Sequence, residues 1–599
     1  MWSVRSRILQ QQSRAVFRTN VARNYSSQSR PHPNTGLTVA LTATLTATLC
    51  YASTYLTSST AAPVLADSET ASDRPTGHYA DATTATKNVQ QEVDKDAPQY
   101  ASKETIKNVV IPKLQELLAK KDQTKVSDDE EDRLGHAQAA GTHHEPTKPD
   151  VVVYVESTED VVKVVKLANQ YRVPVVPFSG GTSLEGHITA PYGGICVDLS
   201  RMDKVLAVRD SDATVQPGVP WMDLNAELES RGIKLFLPLD PGPGATIGGM
   251  ISTGCSGTNA VRYGTAKAEW FLNITVVLPN GDVIKTRNRA RKSSAGFDTT
   301  KLFVGAEGTL GIVTEATVRL APVLPTTVAV CGFPSVERAV SASGEIINKG
   351  VPIQCVELCD SAMMKAMNKF QELPIALPDA DSIFFKFQGN PGAMKEAQEM
   401  VKEIAKKYGG KEMIFAKDAE EARMLWAARK NAHWTLLNLV EGGKAYSTGT
   451  SGAQAGSLAQ SSDILILGVA LDVCVPISKL PQLAQDTQKD LEANGIVGPI
   501  IGHVGDGNFH CESTSFLVLF GCGLVFLEKD FAKVDAAAHR MVNRAIELEG
   551  TCTGEHGVGI GKKGYLKKEL GEGTVALMKL IKNTIDPKGI MNPGKLYPD

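Results

Sequence analysis

Apolar residues recur at helical spacing shortly after residue 100. Ile111, Leu114 and Leu118 follow one another at intervals of three and four residues, and Leu117 lies three residues after Leu114. This spacing places side chains on one face of an α-helix. The pattern therefore predicts a helix over residues 101–133 with one apolar face.

The pattern changes near residue 149, where short runs rich in valine begin. Residues 151–155 and 173–177 are apolar and rich in valine, which is β-branched, and this predicts two strands. Between them, Ser157 precedes a segment whose apolar positions recur at helical spacing, so we expect Ser157 to cap a helix. A strand, a capped helix and a second strand are therefore expected in succession.

Three segments rich in glycine, serine and threonine follow. The first, residues 178–186, comes directly after the second predicted strand, and the others are residues 240–264 and 305–314. A glycine loop after a strand exposes consecutive backbone N–H groups, which can wrap a diphosphate with no side chain in the way. Together the segments indicate one large ligand that the backbone approaches closely. None is the G-x-G-x-x-G fingerprint of a βαβ unit, so a Rossmann NAD site is not supported.

A second candidate site lies close to the C-terminus. Gly-Asp-Gly-Asn at 505–508 is a turn signal, and if it closes a hairpin, His503 and His510 lie directly opposite each other. Cross-strand neighbours have Cβ atoms about 4.5–5.5 Å apart, so the two imidazoles could share one metal ion, with Glu555 as a third ligand. The alternative is a pair of turn histidines and a solvated Glu-His dipeptide, Glu555 and His556.

Composition excludes some classes of function. The chain has 599 residues and a net charge of −3, so its charge gives no indication of a nucleic-acid partner. Its ten cysteines include no Cys-x-x-Cys pair, which favours reduced thiols over a disulfide framework. The one dense cationic run, residues 285–292, is expected to be a solvated face.

The N-terminus has the composition of a mitochondrial targeting segment. Residues 1–30 contain six arginines and no acidic residue, and the first acid of the chain is Asp67, so we predict a presequence over residues 1–25. Residues 36–58 are rich in Leu, Ala and Thr and are either a transmembrane anchor or a disordered linker. An anchor would place the protein at the inner membrane, on a side that the sequence does not decide. Residues 67–100 are predicted to be a polar linker.

The glycine-rich and histidine-containing segments together resemble those of a known enzyme group, the vanillyl-alcohol-oxidase superfamily of FAD enzymes. The matching segments are residues 177–186, 241–264, 305–314, 503–510, 554–559 and 592–595. Within the superfamily the chain is similar to the mitochondrial D-lactate dehydrogenase (cytochrome) family and its close relatives, the D-2-hydroxyglutarate dehydrogenases. The resemblance covers about three-quarters of the chain.

The resemblance implies an α+β fold. An FAD-binding domain of two subdomains is expected over residues 146–323. A C-terminal FAD-linked oxidase domain, with an antiparallel sheet and helices that form a cap, is expected over residues 324–599. The end of the chain is expected to return to the flavin.

FAD is the cofactor that the resemblance implies, bound without a covalent link. Some members attach FAD through a histidine in the first glycine loop, but the corresponding position here is Thr182, which cannot form that bond. The residues that match FAD-binding positions are Pro177, Ser179, Gly180, Gly181, Thr182, Ser183, Gly186, Pro241, Thr246, Gly248, Gly249, Thr253, Ser256, Gly257, Glu307, Gly308, Gly311, Ile312 and Asn592.

The resemblance also implies a divalent metal, Zn or Mn, held by His503, His510 and Glu555. Such a metal would bind the substrate hydroxyl and one carboxylate oxygen, which stabilises a developing alkoxide. Two histidines and one carboxylate do not choose between these metals and could also suit Fe(II).

The implied reaction is oxidation of D-lactate to pyruvate, with electrons passed to cytochrome c. His556 is expected to be the general base, because an imidazole titrates near neutral pH. Arg429 matches the family arginine that grips the substrate carboxylate bidentately, and Lys444 matches a second cation. D-2-hydroxyglutarate is the alternative substrate, because the sequence does not show the shape of the pocket.

The chain departs from its relatives in two places. Residues 449–471 separate segments that are continuous in the relatives, and the apolar run at 516–527 also looks partly inserted. We interpret one or both as products of a retained intron or a wrong gene model. If they are real, the alternative is a flavin-binding protein without turnover. A metal-binding module without flavin is not favoured, because of the three glycine-rich segments.

Overall fold

The described part of the chain begins after the predicted presequence and anchor. The computed structural model describes residues 99–119, 125–137, 144, 146–373, 375–432, 435, 470–495, 499–512 and 531–599. The segments predicted at 1–25 and 36–58, and nearly all of the linker at 67–100, lie outside the described residues. Within those ranges, no helix is both long and apolar enough to cross a bilayer.

The first described segment is helical, but it is shorter than the sequence predicts. Lys103–Thr105, a π-helical turn at Ile106–Val110 and Ile111–Leu117 follow one another without a break. A helix over all of residues 101–133 is wrong, because a short strand and a separate helix, Glu130–Gly135, occupy its second half. The side chain of Asp129 starts that second helix by accepting from backbone N–H groups in its first turn.

The first subdomain of the FAD-binding half contains a four-stranded sheet. Its strands are β1 (Val126–Ser127), β2 (Val151–Tyr154), β3 (Val175–Phe178) and β4 (Ile195–Asp198). They lie in the order β1-β2-β4-β3, with β4 parallel to both neighbours and β1 antiparallel to β2. The helix Thr158–Tyr171 joins β2 to β3, and the Ser157 side chain caps it by accepting from the N–H of Asp160, as predicted.

The second subdomain contains a five-stranded antiparallel sheet in the order β5-β6-β10-β8-β9 and a two-stranded ribbon of β7 and β11. The strands are β5 (Val205–Val208), β6 (Asp212–Val215), β7 (Leu235–Phe236), β8 (Phe271–Val277), β9 (Val283–Lys285), β10 (Ile312–Arg319) and β11 (Ala321–Pro322). The helices are Trp221–Ser230, Ile247–Thr253, Ala260–Tyr263 and Thr299–Phe303. Two subdomains, each with its own sheet, are therefore present, as the resemblance implies.

The cap is a seven-stranded antiparallel sheet in the order β15-β12-β14-β13-β17-β18-β16. Its strands are β12 (Thr326–Phe333), β13 (Ile353–Cys359), β14 (Asp381–Gln388), β15 (Ile414–Phe415), β16 (Ala470–Cys474), β17 (Ile500–Gly502) and β18 (Asn508–Glu512). Its helices are Val336–Asn348, Ser361–Phe370, Pro391–Lys407, Ala419–Lys430, Leu480–Ala493, Phe531–Glu547 and Leu566–Ile585, with single 3-10 turns at Ile477–Lys479 and Lys563–Tyr565.

Helices cover both faces of the cap sheet. Side chains alternate across a strand, so Phe385 and Phe387 of β14 pack in one apolar core while Phe384 packs in another. Both cores are fully buried around these rings. This two-sided burial explains why the strand is apolar at nearly every position.

The end of the chain returns to the FAD-binding half, as the resemblance implies. After the helix Leu566–Ile585, the N–H of Asn592 donates to the carbonyl of Val175 at 2.8 Å, and the N–H of Val175 donates to the carbonyl of Ile590 at 2.8 Å. The C-terminal segment thus lies beside β3, directly before the first glycine-rich loop.

Candidate active site

The first glycine-rich loop, directly after β3, contacts the second segment just before the helix Ile247–Thr253. The hydroxyl groups of Ser179 and Thr246 are 2.8 Å apart. A Cβ at Gly180 would come within 2.7 Å of the carbonyl oxygen of Gly244, so only glycine permits this approach. Gly181 has a φ of +63°, which also favours glycine.

The first loop also presents backbone donors. Within the described part of the chain, no carbonyl or side-chain oxygen accepts from the N–H groups of Gly180, Gly181, Thr182 and Ser183. Consecutive backbone N–H groups of this kind can bind the oxygens of a diphosphate. The loop therefore fits the phosphate part of FAD.

The second glycine-rich segment folds around the carboxylate of Asp240. That carboxylate accepts from the Thr258 hydroxyl at 2.6 Å and from the N–H of Asn259 at 2.9 Å. A Cβ at Gly257 would come within 2.6 Å of Asp240. Lys430 of the cap pairs with the same carboxylate at 2.9 Å, which ties this segment to the cap.

The third segment is joined to the other two through backbone contacts. The N–H of Glu307 donates to the carbonyl of Ser252 at 2.9 Å. A Cβ at Gly308 would lie 2.9 Å from the ring of Pro177, at the start of the first loop. Gly311 packs equally closely on β8, where its Cβ would meet Val276 at 2.7 Å. The structure therefore brings the three predicted segments together.

Glu307 connects the third segment to the C-terminal signatures. Its buried carboxylate accepts from the N–H groups of Val558 at 2.7 Å and Gly559 at 2.9 Å. The Asn592 amide donates to the Glu307 carbonyl at 2.7 Å. Lys595 is also buried and donates to the Asn592 side chain at 2.7 Å. Asn592 is therefore placed at the meeting point of the glycine-rich segments and the chain end.

The hairpin predicted around the first histidine forms, but its register differs. Ile501 of β17 lies opposite His510 of β18, so His503 and His510 are not directly opposite each other. The turn occupies residues 504–507, one position earlier than the predicted 505–508, which moves the pairing by two residues. On its other side, His510 pairs with Asp472 of β16. The side chain of His510 lies outside the described residues.

His503 is held between two carboxylates. Its Nδ1 lies 2.9 Å from both carboxylate oxygens of Glu357, and its Nε2 lies 3.3 Å from Glu555. Burial acts to lower the pKa of His503, but the charges of Glu357 and Glu555 outweigh it and hold that pKa well above its ordinary value. The ring is therefore fixed in orientation by Glu357, with Nε2 turned toward Glu555.

Glu357 also binds Arg429, the residue expected to grip the substrate. Arg429 is on the helix Ala419–Lys430, is almost fully buried, and donates through Nη2 to Glu357 at 2.7 Å. The Glu357 carboxylate thus connects Arg429, which is predicted to bind the substrate, to His503, a predicted metal ligand. The sequence analysis missed Glu357, although an acid within the apolar strand β13 was a signal that could have identified it.

Asp472 is a second carboxylate that the sequence analysis did not select. It is fully buried and accepts through Oδ2 from the N–H groups of Glu555 at 2.8 Å and His556 at 2.9 Å. The same oxygen accepts from the Thr553 hydroxyl at 3.0 Å. Lys562 donates to the Asp472 carbonyl at 3.2 Å. Asp472 therefore fixes the backbone that carries the predicted ligand and base.

The metal-ligand set is described only in part. Among the residues whose side chains are described, no three His, Cys, Asp or Glu side chains form a group that could hold a metal ion. His503 and Glu555 are adjacent, and the contact of Nδ1 with Glu357 is the outer-shell partner that metal-binding histidines usually have. The described side chains therefore supply two of the three predicted ligands, His503 and Glu555. Lys444 lies outside the described residues.

Comparison with protein families matches both halves of the chain. Residues 149–287 match the FAD binding domain, and residues 325–451 and 459–596 match the C-terminal domain of FAD linked oxidases. The second match is interrupted within the segment 449–471 predicted to be an insertion. Residues 470–471, at the end of that segment, belong to strand β16.

Curated relatives cover most of this chain. It is 42% identical to a mitochondrial D-lactate dehydrogenase [cytochrome] of Arabidopsis thaliana over 78% of this chain and 77% of that protein. It is 40% identical to D-lactate dehydrogenase [cytochrome] 1, mitochondrial, of Saccharomyces cerevisiae over 84% of this chain and 82% of that protein. A glycolate oxidase subunit of Bacillus subtilis is 30% identical over 75% of this chain and 89% of that protein.

Solved structures share the fold. A 4-ethylphenol oxidase from Gulosibacter chungangensis aligns with a TM-score of 0.62 at 19% identity, over 84% of this chain and 99% of that one. An alkyldihydroxyacetonephosphate synthase aligns with a TM-score of 0.60 at 19% identity, over 84% and 88%. The fold and the matched domains define an FAD-binding oxidoreductase of the vanillyl-alcohol-oxidase type. The chain belongs to the family of FAD-linked oxidases.

Proposed function

We propose that this protein oxidises D-lactate to pyruvate and passes the electrons to cytochrome c in the mitochondrion. The observation that carries the proposal is the buried Glu357, which joins Arg429 to His503 beside Glu555. In this proposal Arg429 would bind the substrate carboxylate, and His503 and Glu555 would be donors to a metal. The names of the Arabidopsis thaliana and Saccharomyces cerevisiae relatives support D-lactate as the substrate and a cytochrome as the acceptor.

FAD would be held by the glycine-rich loops, without a covalent bond. The N–H groups of residues 180–183 would bind its phosphates, and Asn592 and Glu307 lie where the C-terminal segment meets the loops. When bound, FAD accepts the hydrogen of the alcohol carbon together with its two electrons. The protein residues bind and orient the substrate and move the hydroxyl proton.

His503, His510 and Glu555 would hold a divalent metal, Zn or Mn. The described pair of His503 and Glu555 supports this set, and the backbone of His510 is at a diagonal position of the same hairpin. A bound metal would place positive charge beside the substrate hydroxyl and so lower the pKa of that hydroxyl. Glu357 would keep the His503 ring in the orientation that ligation requires.

His556 would accept the hydroxyl proton. Its backbone N–H donates to Asp472, and its Nδ1 is 3.9 Å from the same carboxylate. Arg429 would bind the substrate carboxylate, with Lys444 as a second cation. Because Glu357 already holds the Arg429 guanidinium, that cation would be in place before the substrate arrives.

The N-terminal segments would deliver and tether the enzyme. A presequence over residues 1–25 would direct it to mitochondria, and residues 36–58 would anchor it at the inner membrane. The Arabidopsis thaliana and Saccharomyces cerevisiae relatives both carry "mitochondrial" in their names.

The experiment that tests the function is anaerobic reduction of the purified, FAD-loaded protein. We expect D-lactate to bleach the yellow flavin, while L-lactate does not. Bleaching by D-2-hydroxyglutarate in place of D-lactate would reassign the substrate, and a yellow protein that no 2-hydroxy acid bleaches would be a flavin-binding protein without turnover. In His510→Ala, we expect bleaching to be lost with FAD retained.

A further inference from the structure

The cationic run at 285–292 is more than a solvated face. Arg289 and Arg291 are exposed, as expected, but they also line a cavity of 760 Å³ together with Arg262 and Arg319. These four residues come from three separate parts of the chain: the end of a short helix, the segment after β9, and the last position of β10. The fold therefore concentrates guanidinium groups at one place.

The positive charge of this cavity is largely uncompensated. Arg289 pairs with Asp212 at 2.7 Å, and Asp212 also pairs with Arg209 at 3.1 Å. Within the described residues, Arg262, Arg291 and Arg319 form no ion pair with an acid. Asp212 is the only acid among the lining residues of this cavity, so the lining carries a net charge of about +3.

Arg319 is held in position at the wall of the cavity. Its guanidinium stacks over the ring of Trp270 at 4.9 Å, and its backbone N–H donates to the Trp270 carbonyl at 2.8 Å, so the side chain is held in position. Burial, and then the nearby charge of Arg291, lower the pKa of Arg319 from its ordinary value, and the charge of Glu269 offsets this only in part. A bound anion would relieve the repulsion between these two guanidinium groups.

The cavity is separate from the proposed FAD and substrate sites. It lies where β6 and β8 begin and β10 ends, since Asp212 pairs with Arg319 in the sheet. Ile312, proposed to contact FAD, is the first residue of β10, and Arg319 is the last. The two ends of that strand are roughly 23 Å apart at 3.3 Å per residue. None of the residues proposed to bind FAD, metal or substrate lines the cavity.

The chemistry of the lining selects a class of ligand. Guanidinium groups bind phosphate oxygens with paired N–H donors, and arginine is the side chain of choice for phosphate recognition. The cavity volume falls within the range of about 300–1,000 Å³ that is usual for small-molecule sites. Apolar groups of Leu272, Leu320 and Pro322 complete the wall. An organic molecule that carries phosphate fits both the charge and the size.

We propose that the cavity formed by Arg262, Arg289, Arg291 and Arg319 is a binding site for a phosphate-bearing organic anion, distinct from the FAD site. Soluble nucleotides and the headgroups of acidic phospholipids share this chemistry. The proposal does not depend on D-lactate being the substrate.

The test uses the FAD-loaded holoenzyme, so that the flavin site is already filled. Binding of ADP and of inorganic pyrophosphate is measured by isothermal titration calorimetry, and binding to phosphatidylcholine vesicles with and without phosphatidylglycerol is measured by flotation. We expect Arg262→Ala/Arg291→Ala to weaken binding of at least one of these anionic probes about tenfold or more, because each charge-assisted contact contributes strongly. The matched control is Arg231→Ala/Arg423→Ala, which removes two exposed arginines elsewhere and leaves binding unchanged.

Each outcome decides the proposal. Arginine-dependent binding of ADP or pyrophosphate without binding to anionic vesicles identifies a soluble phosphate ligand. Arginine-dependent binding to anionic vesicles alone identifies a lipid headgroup. The proposed site is overturned if none of the probes binds. It is also overturned if the two double variants lose binding affinity equally. If the double variant loses flavin, Arg291→Glu alone, at an exposed position, provides the same comparison.

Discussion

The Nδ1 atom of His503 lies 2.9 Å from each carboxylate oxygen of Glu357. Glu357 is almost fully buried, and its second cationic contact, 2.7 Å to Arg429, arrives from a different element. A carboxylate buried among apolar strands is costly unless it is paired. Here the contacts with His503 and Arg429 compensate the cost of burying the Glu357 carboxylate, and they fix both partners. The geometry of the proposed site therefore depends on Glu357, which would touch neither substrate nor flavin.

We predict that Glu357→Gln weakens metal binding by about 10–100-fold, the usual effect of removing an outer-shell carboxylate. Gln retains the shape but not the charge that orients the His503 ring. The measurement is competition of the holoenzyme with a chelator, followed by metal analysis at equal flavin content.

Glu421→Gln is the control for that prediction. Glu421 is another buried acid on the same helix as Arg429, and it accepts from the N–H of Lys417 at 2.7 Å. Its replacement is expected to leave metal affinity unchanged. Equal metal affinity in Glu357→Gln and the wild type would show that Glu357 has no role in metal binding.

Asp472→Asn is expected to lower kcat about 100-fold with a smaller effect on KM. Asp472 Oδ2 accepts from the N–H groups of Glu555 and His556, and displacement of a catalytic group by about 1 Å can cost a factor of this size. Initial rates with D-lactate over a concentration series separate the two constants. Asp282→Asn, in the exposed turn between β8 and β9, is the control. An unchanged kcat in Asp472→Asn would mean that the segment is positioned by other contacts.

Asp360 is expected to make the protein less stable as the pH rises from 4 to 7. Burial raises the pKa of Asp360 to about 7, against hydrogen bonds from the N–H groups of Met363 and Ile500 that favour the charged form. Between pH 4 and 7 the unfolded chain has released this proton while the folded chain retains it. The contribution of Asp360 to the free energy of unfolding therefore falls through this window and is constant above it.

The measurement for Asp360 compares urea unfolding of the wild type and Asp360→Asn at several pH values. Asn retains helix capping and cannot titrate. The stability difference between the two proteins is expected to change by roughly 2–4 kcal/mol in favour of the variant between pH 4 and 7. Parallel curves for the two proteins would show that Asp360 is already ionised at pH 4.

Local sequence patterns predicted the fold well where the structure of a segment depends mainly on its own residues. The valines of β2 and the capping Ser157 were sufficient to identify a strand and a helix start. The glycine-rich segments were also identified, because a backbone that must pass within 2.7 Å of another carbonyl, as at Gly180, excludes other residues. The D-lactate oxidation itself came from the resemblance, since no local pattern specifies a substrate.

Long-range partners could not be predicted in the same way. Glu357 meets His503 across 146 residues of sequence, and Asp472 meets His556 across 84. The hairpin register was wrong because residues 504–507 and 505–508 are both acceptable four-residue turns by composition, and only the pairing of β18 with β16 and β17 decides between them.

The contact of Gly308 with Pro177, directly before the first glycine-rich segment, gives the last prediction. Gly308 has a φ of +70°, and a Cβ there would lie 2.9 Å from Pro177. Gly308→Ala is therefore expected to separate the two loops and to lower the free energy of unfolding by about 1–3 kcal/mol, together with weaker retention of FAD on dialysis. Gly573→Ala is the matched control, because a Cβ there meets nothing within 4 Å in the helix Leu566–Ile585. Alanine at that helical position should stabilise the protein by about 0.5–1 kcal/mol. If both variants behaved alike in flavin retention, the loop contact at Gly308 would have no part in holding FAD.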